Sequence, residues 1–137
     1  TFNIMPDIKI YSKDEKLIAI ILPHDYNNTG LNFITKPNLQ LQLAYINHPS
    51  GHEVSRHYHP QYNRVVSNTL ECILVKKGKV EVTFYDNNQK LINSFIIVSG
   101  DLVLFIDGGH SIKNIIRSQL IEIRQGPYNQ SFDKIEF

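Results

Sequence analysis

Helical periodicity is nearly absent from this chain. In its place stand short runs rich in Val, Ile, Leu, Phe and Tyr, each cut off within a few residues by Gly, Asn, Asp, Ser or Pro. About ten such runs, evenly spaced, predict an all-β sandwich or barrel with next to no α-helix. Ile8–Tyr11 and Leu17–Leu22 flank the polar turn Ser12-Lys13-Asp14-Glu15, and Pro23–Gly30 is a loop by composition. Leu39, Leu41, Leu43 and Tyr45 alternate with Gln40, Gln42 and Ala44, which predicts a strand. Further strands are expected at His57–His59, Leu70–Lys77, Val80–Tyr85, Leu91–Val98, Leu102–Ile106, Ser111–Ile116 and Leu120–Arg124. Gly126-Pro127 then closes the strand-bearing part and leaves a tail to Phe137 that packs on the outside.

With 137 residues the chain suits one domain spanning 1–137. Its core lies at about residues 39–126, with strands 8–22 and tail 127–137 packed against it. Fourteen basic and thirteen acidic residues leave a net charge of +1, so charge gives no reason to expect nucleic acid or an anionic membrane as a partner. No apolar run approaches the roughly 20 residues that span a bilayer. The single cysteine, Cys72, excludes an internal disulfide framework and fits the reducing cytoplasm. An inert strand thiol is the expectation there.

Four residues stand out as chemistry. His57 and His59 are two apart, so in a strand both imidazoles project from one face. Glu71 falls in the next apolar run, and His110 follows Gly108-Gly109. Strand parity puts Glu71, Ile73 and Val75 on one face, with Cys72 and Leu74 on the other. It groups His110, Ile112 and Asn114 in the same way. Three imidazoles and a carboxylate suit one divalent transition metal such as Zn, Fe, Ni or Mn. His52 is a reserve ligand, while His24 and His48 belong to Pro-bearing loops.

These residues also carry a resemblance. Gly51, His57, His59, Glu71 and Gly78 match the first motif of the cupin superfamily, G-x5-H-x-H-x(3,4)-E-x6-G. Gly100, Gly108, His110 and Asn114 resemble its second motif. Residues 60–70 separate His59 from Glu71 where the family has three or four, Ile106 replaces a proline, and the stretch from Gly108 to His110 is one residue short. The likeness covers roughly Leu39 to Gly126, and with VKKGKVEVTFYD and EIRQGPY it points to small stand-alone bacterial cupins found near surface-polysaccharide genes. It implies a double-stranded β-helix (a jelly-roll-like barrel), a metal held by His57, His59, Glu71 and His110, a small-molecule ligand and a homodimer.

The insertion Pro60–Thr69 is expected at the barrel mouth. Arg64 offers a planar fork of donors to a carboxylate or phosphate, Tyr58 and Tyr62 offer rings to stack on, and Tyr45 is a candidate pocket wall. Glu122 and Arg124 either face solvent or form a polar pair in the pocket. No nucleophile elbow, phosphate loop or C-x-x-C is present. Three functions stay open. The first is a metal-dependent cupin, of oxygenase or isomerase type, acting on a small polar and carbohydrate-related molecule. The second is a metal-free nucleotide-sugar isomerase or epimerase with His57 or His59 as base. The third is a binding module without turnover.

Overall fold

The structure, a computed structural model, describes residues 7–137; residues 1–6 of the expected domain lie outside the described range. Every element among the described residues is a strand. They are β1 (Ile8–Tyr11), β2 (Leu17–Leu22), β3 (Gly30–Phe33), β4 (Ala44–Asn47), β5 (Glu71–Lys77), β6 (Lys79–Tyr85), β7 (Leu91–Val98), β8 (Leu102–Phe105), β9 (Gly109–Asn114) and β10 (Gln119–Arg124). Among these residues no helix is long and apolar enough to cross a membrane.

All pairings are antiparallel. One sheet has the order β1-β2-β8-β5-β10, a second has β7-β6-β9, and β3-β4 form a small third. Alternating apolar residues on the five-stranded sheet (Ala19, Ile21, Ile73, Val75, Val103, Phe105) meet Val80, Val82, Phe84 and Ile97 of the three-stranded sheet in one buried core. The result is a β-sandwich.

Successive strands change sheet at sharp corners. β5 and β6 are joined through Gly78 yet belong to different sheets, as do β7 and β8 through Gly100. Gly108, between β8 and β9, has a φ of 66°, and a Cβ there would run into the Tyr85 carbonyl oxygen and stand 3.2 Å from Ile18 Cδ1. Only glycine fits this turn without strain. Asp101 braces the β7–β8 corner. Its buried carboxylate accepts hydrogen bonds from the backbone N–H groups of Val98 (2.8 Å) and His24 (2.7 Å), with His24 Nδ1 at 2.8 Å from the same carboxylate. That bond to Asp101 holds the His24 imidazole above its usual pKa.

Two expected strands are not formed. Over residues 39–43 the alternation is real: Leu39, Leu41 and Leu43 rest on Ile20, Cys72 and Leu104, covering the outer face of the five-stranded sheet. The backbone there takes other partners. Gln42 Nε2 donates to the carbonyls of Leu39 (2.7 Å) and Lys36 (3.0 Å), and strand pairing begins only at Ala44. One-sided packing wrote the period-2 pattern, without a ladder. His57–His59 is likewise not a strand, because no neighbouring strand lies alongside to share backbone hydrogen bonds.

Candidate functional site

Register places the polar groups of the core. Ile10, Ala19, Phe105, Glu71 and Arg124 form one row of cross-strand neighbours over β1, β2, β8, β5 and β10. The next row runs Ile8, Ile21, Val103, Ile73, Glu122. Both rows are apolar toward β1 and charged toward β10. On the facing sheet Phe84 pairs with His110, Val82 with Ile112 and Val80 with Asn114. The inward face therefore turns from hydrocarbon to ionisable side chains where β5, β9 and β10 meet. The expected parities of Glu71-Ile73-Val75 and His110-Ile112-Asn114 agree with this register.

Glu71 and His110 come together there, with Oε2 and Nε2 3.4 Å apart. The imidazole lies flat on Phe105, ring centroids 3.7 Å apart and planes 15° off parallel. Phe105 is buried and its ring centroid is 5.9 Å from that of Phe84, so the stack fixes one face of His110 against the core. Beside the pair opens a cavity of about 280 Å³ lined by Ser67, Asn68, Thr69, Phe105, Ile106, Asp107, Gly108 and His110. It is polar at the rim and aromatic at the floor, a shape and chemistry suited to a small polar molecule.

Electrostatics separate the two glutamates. The His110 imidazole beside it holds the Glu71 carboxyl below its usual pKa, against the opposing effect of burial, with Glu122 and Arg124 also contributing. Partial burial and the adjacent Glu71 carboxylate push Glu122 up. Arg124 Nε lies 3.7 Å from Glu122 Oε1, and its guanidinium sits 4.8 Å from the centre of the Tyr128 ring. Register puts Glu122 and Arg124 on the Glu71 face, yet the Glu122 side chain is 45% exposed and neither residue lines the cavity. At the rim, Asp107 is already engaged, with Lys16 Nζ at 2.8 Å and the Gly108 N–H at 2.8 Å. Burial raises its carboxyl pKa, but the bonds from Lys16 and Gly108 outweigh that and leave it below the ordinary value. On the opposite face of β5, burial and then the nearby Glu71 charge push the Cys72 thiol up to about 11, so it is not a ready nucleophile.

The other expected site residues lie apart from this pair. His57 and His59 contact each other edge to face, centroids 5.2 Å apart, and His57 Nδ1 is 2.8 Å from the Ser55 carbonyl oxygen. Both are exposed, as is every residue from Gly51 to Thr69. His48 and His52 stack on one another, centroids 3.8 Å apart. Arg64 lies over the Tyr62 ring at 3.7 Å, and Tyr58 is 85% exposed. Tyr45 packs edge to face on Tyr26 and its hydroxyl reaches Asn27 Oδ1 at 3.4 Å. None of Tyr45, Tyr58, Tyr62 and Arg64 lines the cavity. Among the described residues no three His, Cys, Asp or Glu side chains converge on a point where a metal ion could sit. Phe105 escaped the sequence reading, since an aromatic at a strand end reads equally well as ordinary core. Compared with models of protein families, with characterised proteins and with solved structures, the chain finds no match in any of the three.

Proposed function

We propose that this protein binds a small polar molecule in the cavity beside His110, with the His110–Glu71 pair as its reactive centre. The observation that carries the reading is the pair itself: an imidazole stacked on a buried aromatic ring, with its Nε2 3.4 Å from a carboxylate oxygen. A carboxylate in that position orients the ring, which equips the pair to take and return a proton next to a carbonyl or hydroxyl. The sandwich is read as a cupin-type double-stranded β-helix. Support comes from the way the chain alternates between sheets, with β5, β8 and β10 in one and β6, β7 and β9 in the other.

A divalent transition metal is the second reading, favoured by the joining of one carboxylate and one imidazole, both ligand types that such ions accept. Among the described residues a single chain brings only those two donors together, and a centre of the expected kind needs two more. Where bound, the ion would supply Lewis acidity.

Thermal unfolding in the presence of hexose phosphates, nucleoside-diphosphate sugars, and Zn, Mn, Ni or Fe salts tests the site. At least one probe should raise the unfolding temperature of the native chain, and Glu71→Gln and His110→Ala should abolish the rise. A rise that persists in both variants, or none from any probe, contradicts the assignment.

A further inference from the structure

Four cations gather at the corner where β5 turns into β6. Lys76, Lys77 and Lys79 flank Gly78, and the turn between β9 and β10 brings Arg117 beside them. That turn is tied to Lys79: Ser118 Oγ accepts a hydrogen bond from the Lys79 N–H at 3.1 Å, and the Ile115 N–H donates to the Lys79 carbonyl at 2.9 Å. On the other side of the corner, Ser99 Oγ accepts from the Gly78 N–H at 3.0 Å. All four cationic residues are exposed, and none is in an ion pair among the described residues. The nearby carboxylates are engaged elsewhere. Asp101 is buried and bonded to Val98 and His24, and Glu81 stands across from Lys113 in the β6–β9 register. Outside the four cations the chain holds ten basic residues against thirteen acidic ones. The near-neutral total therefore conceals segregated charge, with positive potential concentrated at one end.

An apolar tip accompanies this charge. Ile115 and Ile116 are consecutive in the β9–β10 turn, are 46% and 56% exposed, and belong to neither core cluster. The segments that build the corner, 76–79, 98–100 and 113–119, contain no aromatic residue. They offer no ring on which a nucleobase could stack, and two isoleucines are too little apolar surface for a stable protein interface. An exposed apolar tip beside unpaired cations suits a lipid surface. The isoleucines enter the boundary between headgroups and acyl chains, and the cations meet anionic headgroups.

We infer that this corner docks the protein on a lipid surface bearing anionic headgroups. Strand direction sets the orientation. β5 runs from Glu71 to Lys77, so the Glu71–His110 pair lies at the far end of a seven-residue strand, roughly 20 Å from the corner. β9 and β10 agree, with His110 and Arg124 at the pocket end and Asn114 and Gln119 at the corner end. A docked chain holds its cavity away from the bilayer, open to a ligand that arrives from water.

Flotation of the full chain with lipid vesicles tests the inference. The native protein should float with vesicles that mix phosphatidylcholine and phosphatidylglycerol, remain behind with phosphatidylcholine alone, and release as salt rises. Replacing any one of the four cations by Ala should weaken binding about fivefold. Lys76→Glu with Lys77→Glu should abolish flotation. Lys9→Glu with Lys134→Glu makes the same change in net charge on residues already in ion pairs, and should leave flotation intact. Ile115→Ser with Ile116→Ser should abolish flotation while the circular dichroism spectrum stays that of the native chain. A native protein that floats with neither vesicle, or equal losses from the two lysine pairs, overturns the inference. Flotation that survives the loss of both isoleucines marks a general polyanion surface and overturns docking on lipid.

Discussion

Phe105 is the floor on which His110 rests, so the two side chains should be energetically coupled. Replacing Phe105 by Leu keeps most of the buried volume and removes the ring that stacks at 3.7 Å. Shrinking this buried side chain also leaves a void, with a packing cost in the common range of about 0.5–3 kcal/mol. His110→Ala removes the other half of the stack from a half-buried position, with a cost in the common range of about 0.5–3 kcal/mol. A stacked pair contributes about 0.5–1.5 kcal/mol beyond its burial, and that amount is lost in either single variant but only once in the double. The double variant should therefore be more stable than the summed costs by this margin. With a urea slope of about 2 kcal/mol/M, the difference corresponds to roughly 0.3–0.8 M in unfolding midpoint. The chain has no tryptophan, so far-UV circular dichroism and tyrosine fluorescence are the natural probes. Costs that add within about 0.3 kcal/mol would refute the stack as an organiser of the site.

The His24–Asp101 brace predicts a pH dependence. The folded-state pKa of His24 is raised above 6.5 by the bond to Asp101, so its contribution is fully present below about 6.5 and lost as pH rises through the folded value. The unfolding temperature should fall across that window in the native protein and stay flatter in His24→Asn; equal slopes would count against the brace. Gly108→Ala forces a side chain into a left-handed turn and against the Tyr85 carbonyl. It should cost roughly 1–3 kcal/mol in urea unfolding, and an unchanged midpoint would show that the corner yields freely.

Strands whose side chains are sorted by burial were readable from composition. Ile8–Tyr11, Leu17–Leu22 and Leu91–Val98 form as their sequences suggest, because each run alternates or saturates in β-branched residues and stops at a turn. Parity also grouped Glu71 with Ile73 and Val75, and His110 with Ile112 and Asn114, since a residue's side of a strand follows from counting alone. Two things were hidden. Leu39–Leu43 shows that alternation reports which side is covered, while strand formation also requires a free neighbouring backbone; Gln42 spends its amide on local carbonyls instead. His57 and His59 show the same limit from the other side, for they carry a strand's pattern where no strand among the described residues lies alongside. Sheet switching at Gly78 and Gly100 was beyond the sequence, because a tight turn reads alike whether it closes a hairpin or crosses a sandwich.

The central claim, that Glu71 and His110 act as one unit, is tested most directly by following the Glu71 carboxyl carbon by NMR against pH in metal-stripped protein. Because His110 is the foremost cause of its lowered pKa, Glu71 should titrate below the ordinary glutamate value of 4.5 in the native chain. It should move upward in His110→Ala. A Glu71 that titrates at the ordinary value, or one that ignores the loss of His110, would contradict the account.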